Sequence, residues 1–565
     1  MIRLALVSLP ANDSIEALPL GAACVSAAVS AAASLRGRVE PFLLEGRLGE
    51  APADLASRIA SSGGDWAGFS VYSWSRKALC AAARAFRAAR PGALLFAGGP
   101  EATAEPEALL AEGSFDFLVA GEGESAAVRA LELALAKGIP GFLGGAEVPP
   151  GVALPGRPFR RAPAEDAAAL ASPWLSGSLA PRPGEGLALW ELARGCPYRC
   201  AYCYESKGEA GVRRLPLPRL KAELELFRRS GVGSAFVLDP TFNADRRRAA
   251  ELLGLMAGAP GIRWKLELRA ELLDAATVER LAGLDCSVQV GLQSSKAETL
   301  ARLGRGFDRE AFARGLRLLD RAGVVFGLDL IYGLPGDALR DFEASLDYAL
   351  GFGPNHLDLF PLALLPGTEL WDRAAELGLE ASPEPPYLVR RTRELPEADL
   401  ARAAGLAAAA DRFYSAGRAV GWFRAALAPL KERPSAFLGR YGARGKAAPG
   451  AGGKGQAAIE AEQLGFLESS YRERGLERLW PALRDLVRLH GAMSRALAEG
   501  ESAELELGYD PDELLAAPAL GLRRFAAEAR RLPGAVRVSP GGQEGVRVER
   551  ARGPGRRGGR AAGRG

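Results

Sequence analysis

The sequence predicts an α/β protein in three parts: a doubly wound parallel sheet, then a partial (β/α)6 barrel, then a mostly helical C-terminal region. Three observations carry this. Short apolar runs alternate with Ala-rich segments through about residue 140, six more strand-like runs recur at βα spacing from residue 187, and beyond residue 381 strand signals give way to helical, aromatic-rich sequence. At 565 residues the chain exceeds one ordinary hydrophobic core, so several domains are expected. An apolar content of 48% with 25% charged residues is that of a globular chain and excludes a disordered class.

In residues 1–140 the expected strands are Arg3–Leu9, Val39–Glu45, Trp66–Ser73, Ala93–Gly98 and Phe115–Ala120, each followed by a segment suited to a crossover helix. Ligands of such sheets sit beyond the carboxyl ends of the strands. The loops there contain Leu20 and Gly21 after Leu18-Pro19, then Ser70, Tyr72, Ser73 and Trp74, then Gly98, Gly99, Pro100, Glu101 and Thr103, and finally Gly121, Glu122, Gly123 and Glu124. Their glycines let the backbone approach a large ligand, and the helices that follow offer free amide donors. Residues 141–186, rich in Pro, Gly and Ala, read as a linker with Trp174 as its anchor.

In residues 187–380 the expected strands are Leu187–Ala193, Ala235–Asp239, Arg263–Arg269, Ser287–Leu292, Val324–Ile331 and His356–Phe360. The first runs into Cys196-Pro-Tyr-Arg-Cys200-Ala-Tyr-Cys203, three thiols within eight residues of a chain with six cysteines. Crowded thiolates are a metal site. Zinc in a structural site wants four closed ligands, whereas Cys24, Cys80, Cys286 and the two histidines, His356 and His490, are scattered. Iron–sulfur clusters are also held by thiolates, and a short loop can aim three of them at one small cube, but closeness alone does not identify the metal.

The C-x-x-x-C-x-x-C spacing resembles the signature of the radical S-adenosylmethionine (SAM) superfamily. That resemblance implies a [4Fe–4S] cluster on Cys196, Cys200 and Cys203, with one iron open to the amino and carboxylate groups of SAM. It also implies a SAM site at the strand ends. Tyr202 resembles the family aromatic beside the adenine. Asp239, Thr241 and Asn243 can bond the methionyl moiety. Strand alternation aims Glu267 and Arg269 to one side, for the ribose and the SAM carboxylate. Gln293, Ser294, Asp329, Gly333 and Pro366 lie in segments that resemble the remaining lining loops. The glycine-rich loops of the first part resemble the cobalamin-binding domain found ahead of many radical SAM cores, and are expected to hold cobalamin. The first 150 residues contain no histidine, so the resemblance implies base-off cobalamin without a histidine ligand.

The resemblance, which spans roughly residues 1–380, implies a radical SAM enzyme that uses SAM, a [4Fe–4S] cluster and cobalamin. Methylation of an unactivated carbon or phosphorus centre of a small, natural-product-like substrate leads. A flavodoxin- or ferredoxin-type electron donor is the expected partner. Cyclisation, rearrangement or oxidation without methyl transfer is the alternative, and a non-catalytic cobalamin or redox sensor is an alternative of another class. An RNA methylthiotransferase would need a second cysteine trio in the first domain, where only Cys24 and Cys80 occur.

Residues 381–535 are expected to be mostly helical, resembling a poorly characterised domain that follows some such proteins, with Phe413, Tyr414, Trp422, Phe423, Phe437 and Tyr441 as core. A Gly-rich break is expected from Gly442 to Gly455. Residues 536–565 read as a disordered, solubilising Gly/Arg-rich tail. Its arginines, Arg552, Arg556, Arg557, Arg560 and Arg564, outweigh the net charge of +4, so nucleic acid is not an expected partner of the folded part. The apolar run Ala17–Leu35 is rich in Ala and preceded by acidic residues, which argues for a buried helix and a cytoplasmic protein without a membrane span.

Overall fold

The computed structural model describes residues 1–12, 17–181, 184–206, 211–446, 455–542 and 545–550. β1 (Ile2–Ser8), β2 (Val39–Glu45), β3 (Trp66–Ser70), β4 (Leu95–Gly98) and β5 (Phe117–Val119) form a parallel sheet in the order β2-β1-β3-β4-β5. Both faces are covered by helices, one apolar layer holding Phe69 and Phe86 and the other Phe96, Phe117 and Phe142. That burial explains why the strands read as continuous apolar runs. The order reverses between β1 and β3, which opens a crevice at their carboxyl ends. The run Ala17–Leu35 contains the helix Leu20–Ala31, packed on this sheet, and no helix among the described residues is long and apolar enough to cross a membrane.

Part of the expected linker is structured. β6 (Val152–Ala153) adds an antiparallel edge to β5, and the helix Gly123–Gly144 runs into the segment, kinked at Gly138. Trp174 is buried, donates from its indole to the Leu189 carbonyl at 3.1 Å, and packs edge-on against Phe227.

The second sheet starts with β7 (Gly184–Glu191). After the short antiparallel pair β8 (Ala193–Arg194) and β9 (Arg213–Arg214) come β10 (Val232–Leu238), β11 (Arg263–Leu268), β12 (Cys286–Gln293), β13 (Val325–Tyr332) and β14 (His356–Pro361). The six long strands run parallel in the order β14-β13-β12-β11-β10-β7, an open arc. Alternation divides its faces. Ala235, Val237, Trp264, Leu266, Val288 and Val290 are buried against the helices, while Phe236, Lys265, Gln289 and Asp329 are half-buried on the opposite, concave face. Asp245, Asp274 and Asp308 cap the following helices by accepting from backbone N–H groups, each stabilising by about 1 kcal/mol.

Beyond the hairpin β15 (Glu380–Ala381) and β16 (Val389–Arg391), helices pack on the outside of the arc. Phe413, Tyr414, Trp422, Phe423, Phe437 and Tyr441 are all buried, and their edge-on contacts make them core. One expectation is overturned here. β17 (Ala503–Leu507), β18 (Gly534–Pro540) and β19 (Val546–Arg550) form an antiparallel sheet across the boundary between the supposed helical region and the supposed disordered tail. Leu505, Leu507, Val536 and Val538 are its buried face, and the charged residues between them masked the period of two. Residues 551–565 of the tail, and 447–454 of the Gly-rich break, lie outside the described residues.

Candidate active site

β7 and β8 deliver the chain to the cysteine loop, and neighbouring loops hold it. Gly195 has φ +84°, and a Cβ there would stand 2.6 Å from the Gly211 carbonyl oxygen. Ala201 N donates to Leu303 O and Leu370 N to Ala201 O, both at 2.9 Å. Cys200 is buried; Cys196 and Cys203 are half-buried, with Cys196 Sγ 3.7 Å from Thr241 Oγ1. Burial pushes the Cys203 thiol up to about 11, reinforced by the nearby Cys200 and Cys196 sulfurs and opposed by the Glu205 backbone N–H. Among the described residues no three His, Cys, Asp or Glu side chains gather to hold a single metal ion. A cube asks for something else: each thiolate takes its own iron, so the sulfurs flank a shared space rather than meet at a point. Three thiols on one short loop fit that group.

Around the loop stand buried polar atoms without partners: Gln293 Oε1, Arg305 Nε and Glu271 Oε2. Each such atom costs roughly 1–3 kcal/mol if left unsatisfied. Gln293 is also held at φ +69°, left-handed backbone that L-residues rarely adopt, at a register shift between β12 and β13. Arg305 is buried and donates to the Gly291 carbonyl; although burial opposes its charge, Tyr202, Cys200 and Glu271 hold it firmly protonated. A free amide oxygen and a guanidinium with a spare N–H suit the ribose, amine and carboxylate of SAM. Arg305 escaped the sequence reading; its place two residues after Leu303, against which the cysteine loop is pinned, was the available signal.

Other expected SAM residues divide into those facing the space and those serving the fold. Asp239 and Glu267 line a cleft of about 640 Å³ between the two sheets. Burial raises both carboxyl groups, and Glu205 and then Asp239 add to the rise at Glu267. Asp329 lies on the concave face, where burial pushes its carboxyl up to about 7 against the Gln289 amide bond, with Asp358 and Glu267 adding. Thr241 touches Cys196, and half-buried Tyr202 packs among Ala201, Leu303, Leu334 and Leu362. Gly333, at φ +92°, passes under Leu400, and Pro366 is buried in the loop whose Gly367 faces Ala104 of the first domain.

Three residues are structural instead. Both ends of the Asn243 amide are used by the Arg269 backbone, at 3.0 and 2.9 Å. The Arg269 guanidinium stacks 4.1 Å from the Tyr198 ring centroid and donates to Gly306 O at 2.7 Å, so it buttresses the cysteine loop and offers no free fork. Ser294 is fully buried, its hydroxyl accepting from Lys296 N at 3.1 Å.

The first domain contributes an inner cavity of about 210 Å³, lined by Leu20, Gly21, Ser70, Tyr72, Gly98, Gly99, Gly121, Gly123 and Glu124 of the expected set, with Cys24 and Phe96. It is carved by missing side chains: a Cβ on Gly99, at φ +101°, would lie 2.8 Å from Val71 O, and one on Gly21 3.5 Å from the Tyr72 hydroxyl. Trp74, stacked on Tyr72 at 4.4 Å, borders a neighbouring hollow of about 310 Å³. Pro100, Thr103 and Glu122 face the 640 Å³ cleft, while Ser73 lines none of the three. Glu101 is corrected: its buried carboxylate binds Arg76 at 2.8 Å and the Tyr387 hydroxyl at 2.7 Å, latching the first domain to the hairpin β15–β16. The inner cavity and the cleft share Tyr72, Gly99, Gly121, Glu191 and Arg194, so they adjoin each other. A glycine-walled hollow with no imidazole fits cobalamin held without a histidine ligand.

The profile of the Radical SAM superfamily matches residues 190–349, and that of the B12 binding domain matches residues 15–131. The chain carries a radical SAM domain and a B12-binding domain. This domain pair implies a [4Fe–4S] cluster, SAM and cobalamin as cofactors. Over 344 residues it is 28% identical to the 2-(S-pantetheinyl)-carbapenam-3-carboxylate methyltransferase of Streptantibioticus cattleyicolor, covering 56% of this chain and 50% of that one. It is 26% identical to the cobalamin-dependent radical SAM methyltransferase TokK of Streptomyces tokunonensis, covering 57% and 50%. The chain thus spans about half the length of these curated relatives. The structure of the cobalamin-dependent SAM radical enzyme OxsB with aqua-cobalamin and SAM superposes with a TM-score of 0.56 at 14% identity, over 94% of this chain and 76% of that chain. The fold likeness therefore reaches into the C-terminal region.

Proposed function

We propose that this protein is a cobalamin-dependent radical SAM methyltransferase acting on an unactivated carbon or phosphorus centre of a small, natural-product-like molecule. The observation that carries the reading is that the glycine-walled cavity adjoins the cleft beside the cysteine loop, with five lining residues in common, which would bring ligands of the two domains to one substrate. The methyltransferases among its relatives support methyl transfer as the outcome. Cys196, Cys200 and Cys203 would hold the cluster, Gln293 and Arg305 would meet SAM with their unpartnered atoms, and Gly21, Gly99 and Gly121 would cradle cobalamin. When bound, SAM on the reduced cluster supplies a hydrogen-abstracting radical and cobalamin supplies a methyl group. The protein's part is placement and electrostatics. Asp239, Glu267 and Glu205 give the cleft an acceptor wall suited to hydroxyl and amino groups. A flavodoxin- or ferredoxin-type protein would deliver the electrons.

Protein reconstituted anaerobically with iron, sulfide and cobalamin, then given SAM, a reductant and candidate substrates, should release both 5′-deoxyadenosine and S-adenosylhomocysteine. Release of 5′-deoxyadenosine alone, with a product of unchanged carbon count, would replace methylation with a rearrangement or oxidation.

A further inference from the structure

Arg194 and Arg213 stand opposite each other in the β8–β9 pair, and both grip one loop of the first domain. Arg194 Nη2 donates to Glu124 Oε1 at 2.6 Å, its Nη1 lies 3.4 Å from Glu122 Oε1, and its Nε donates to Glu191 Oε1 at 2.9 Å. Arg213 Nη1 donates to Glu122 Oε2 at 3.0 Å and to the Glu165 carbonyl at 2.7 Å. The gripped loop is a wall of the inner cavity through Gly121, Gly123 and Glu124. The gripping residue is separated from Cys196 only by Gly195, whose left-handed backbone packs directly on Gly211.

Two features make this a linkage rather than a surface ion pair. The charges are largely withdrawn from solvent, with Arg194 15% and Glu124 8% exposed at the side chain, so losing one partner leaves the others uncompensated. A planar guanidinium also fixes direction, since its rigid fork spreads N–H groups toward three carboxylates at once, whereas the three donors of an ammonium rotate about a single nitrogen. A ligand filling the cavity would touch Gly121 and Gly123, and Arg194 would carry a shift of that segment toward the first cysteine.

We propose that Arg194 and Arg213 are positioning residues that make the two cofactor sites cooperative: cobalamin in the inner cavity tightens SAM at the cysteine loop, and SAM tightens cobalamin by the same factor. This rests on the cofactor reading above. The test uses the full chain with its cluster reconstituted and kept oxidised, so that SAM is bound but not cleaved. The SAM dissociation constant is measured by equilibrium dialysis with and without saturating hydroxocobalamin. The wild type should bind SAM at least about fivefold more tightly with cobalamin. Arg194→Lys, which keeps the charge and loses the fork, should bring that ratio close to one at unchanged iron content. Arg213→Lys should lower it in the same direction, and serves alone if Arg194→Lys does not fold. A wild-type ratio of one, or a ratio that both variants retain, overturns the proposal. A wild-type protein that takes up neither iron nor cobalamin overturns the site reading itself, and the proposal with it.

Discussion

At the carboxyl ends of β4 and β5, Gly98, Gly99, Gly121 and Gly123 leave out side chains and let backbone form a cavity wall; at the carboxyl ends of the second sheet, the Glu271 carboxylate, the Arg305 guanidinium and the Gln293 amide each hold one buried atom without a partner. The first region recognises by shape and close contact, the second by charge and hydrogen bonding. Adding atoms should therefore break one, and removing atoms the other. The two meet where Arg194 lines both spaces.

The largest effect is expected on the side-chain half. Cys200→Ala removes the buried member of the thiol trio and leaves a cube underligated. Visible absorption of the reconstituted cluster and 5′-deoxyadenosine formation should both be lost, while cobalamin binding, measured by equilibrium dialysis in the absence of SAM, stays within about twofold, because the proposed coupling acts through bound SAM. Full absorption in this variant would count against the assignment.

The mirror experiment is Gly99→Ala. A Cβ at φ +101° and 2.8 Å from Val71 O combines backbone strain with a clash. Strain of this kind costs roughly 1–3 kcal/mol of folding stability, and the cavity wall can relieve it only by moving, so cobalamin affinity should fall, by up to roughly 150-fold, with iron content unchanged. Unaltered cobalamin affinity would show that the glycine-walled hollow is not its seat.

A smaller effect sharpens the contrast through pH, at a buried carboxyl group of the second half. Asp329 is raised from 3.8 to about 7, so folding favours its protonated form. Its contribution to stability is complete below about pH 4 and is lost as pH rises through 7. Urea unfolding at pH 5 and pH 8 should show Asp329→Asn gaining on the wild type at the higher pH. A stability difference independent of pH would place Asp329 in a different environment.

Much of this architecture was readable from period alone. Val39–Glu45 coincides with β2, and the six barrel strands lie within a few residues of their expected ends. Trp66–Ser73 overran because Val71 and Tyr72 stay apolar after the backbone has turned, where the Ser75 hydroxyl accepts from Tyr72 N at 3.0 Å. Side-chain roles were harder. Asn243, Arg269 and Glu101 have the right chemistry for ligands, yet each is consumed by backbone, ring or ion-pair contacts that depend on residues distant in sequence. Arg194 and Arg305 had the opposite fate, being ordinary arginines until folding sets them beside the cysteine loop. The sheet β17–β18–β19 was hidden because helices separate its first two strands and charged residues alternate with its apolar ones.

The central claim, that the two cofactor sites adjoin and face each other, is tested most directly by electron paramagnetic resonance of protein carrying both cob(II)alamin and the reduced cluster. Facing sites predict that each signal is broadened by the other, and that the broadening vanishes in samples containing only one centre. A spectrum equal to the sum of the two separate signals would contradict it.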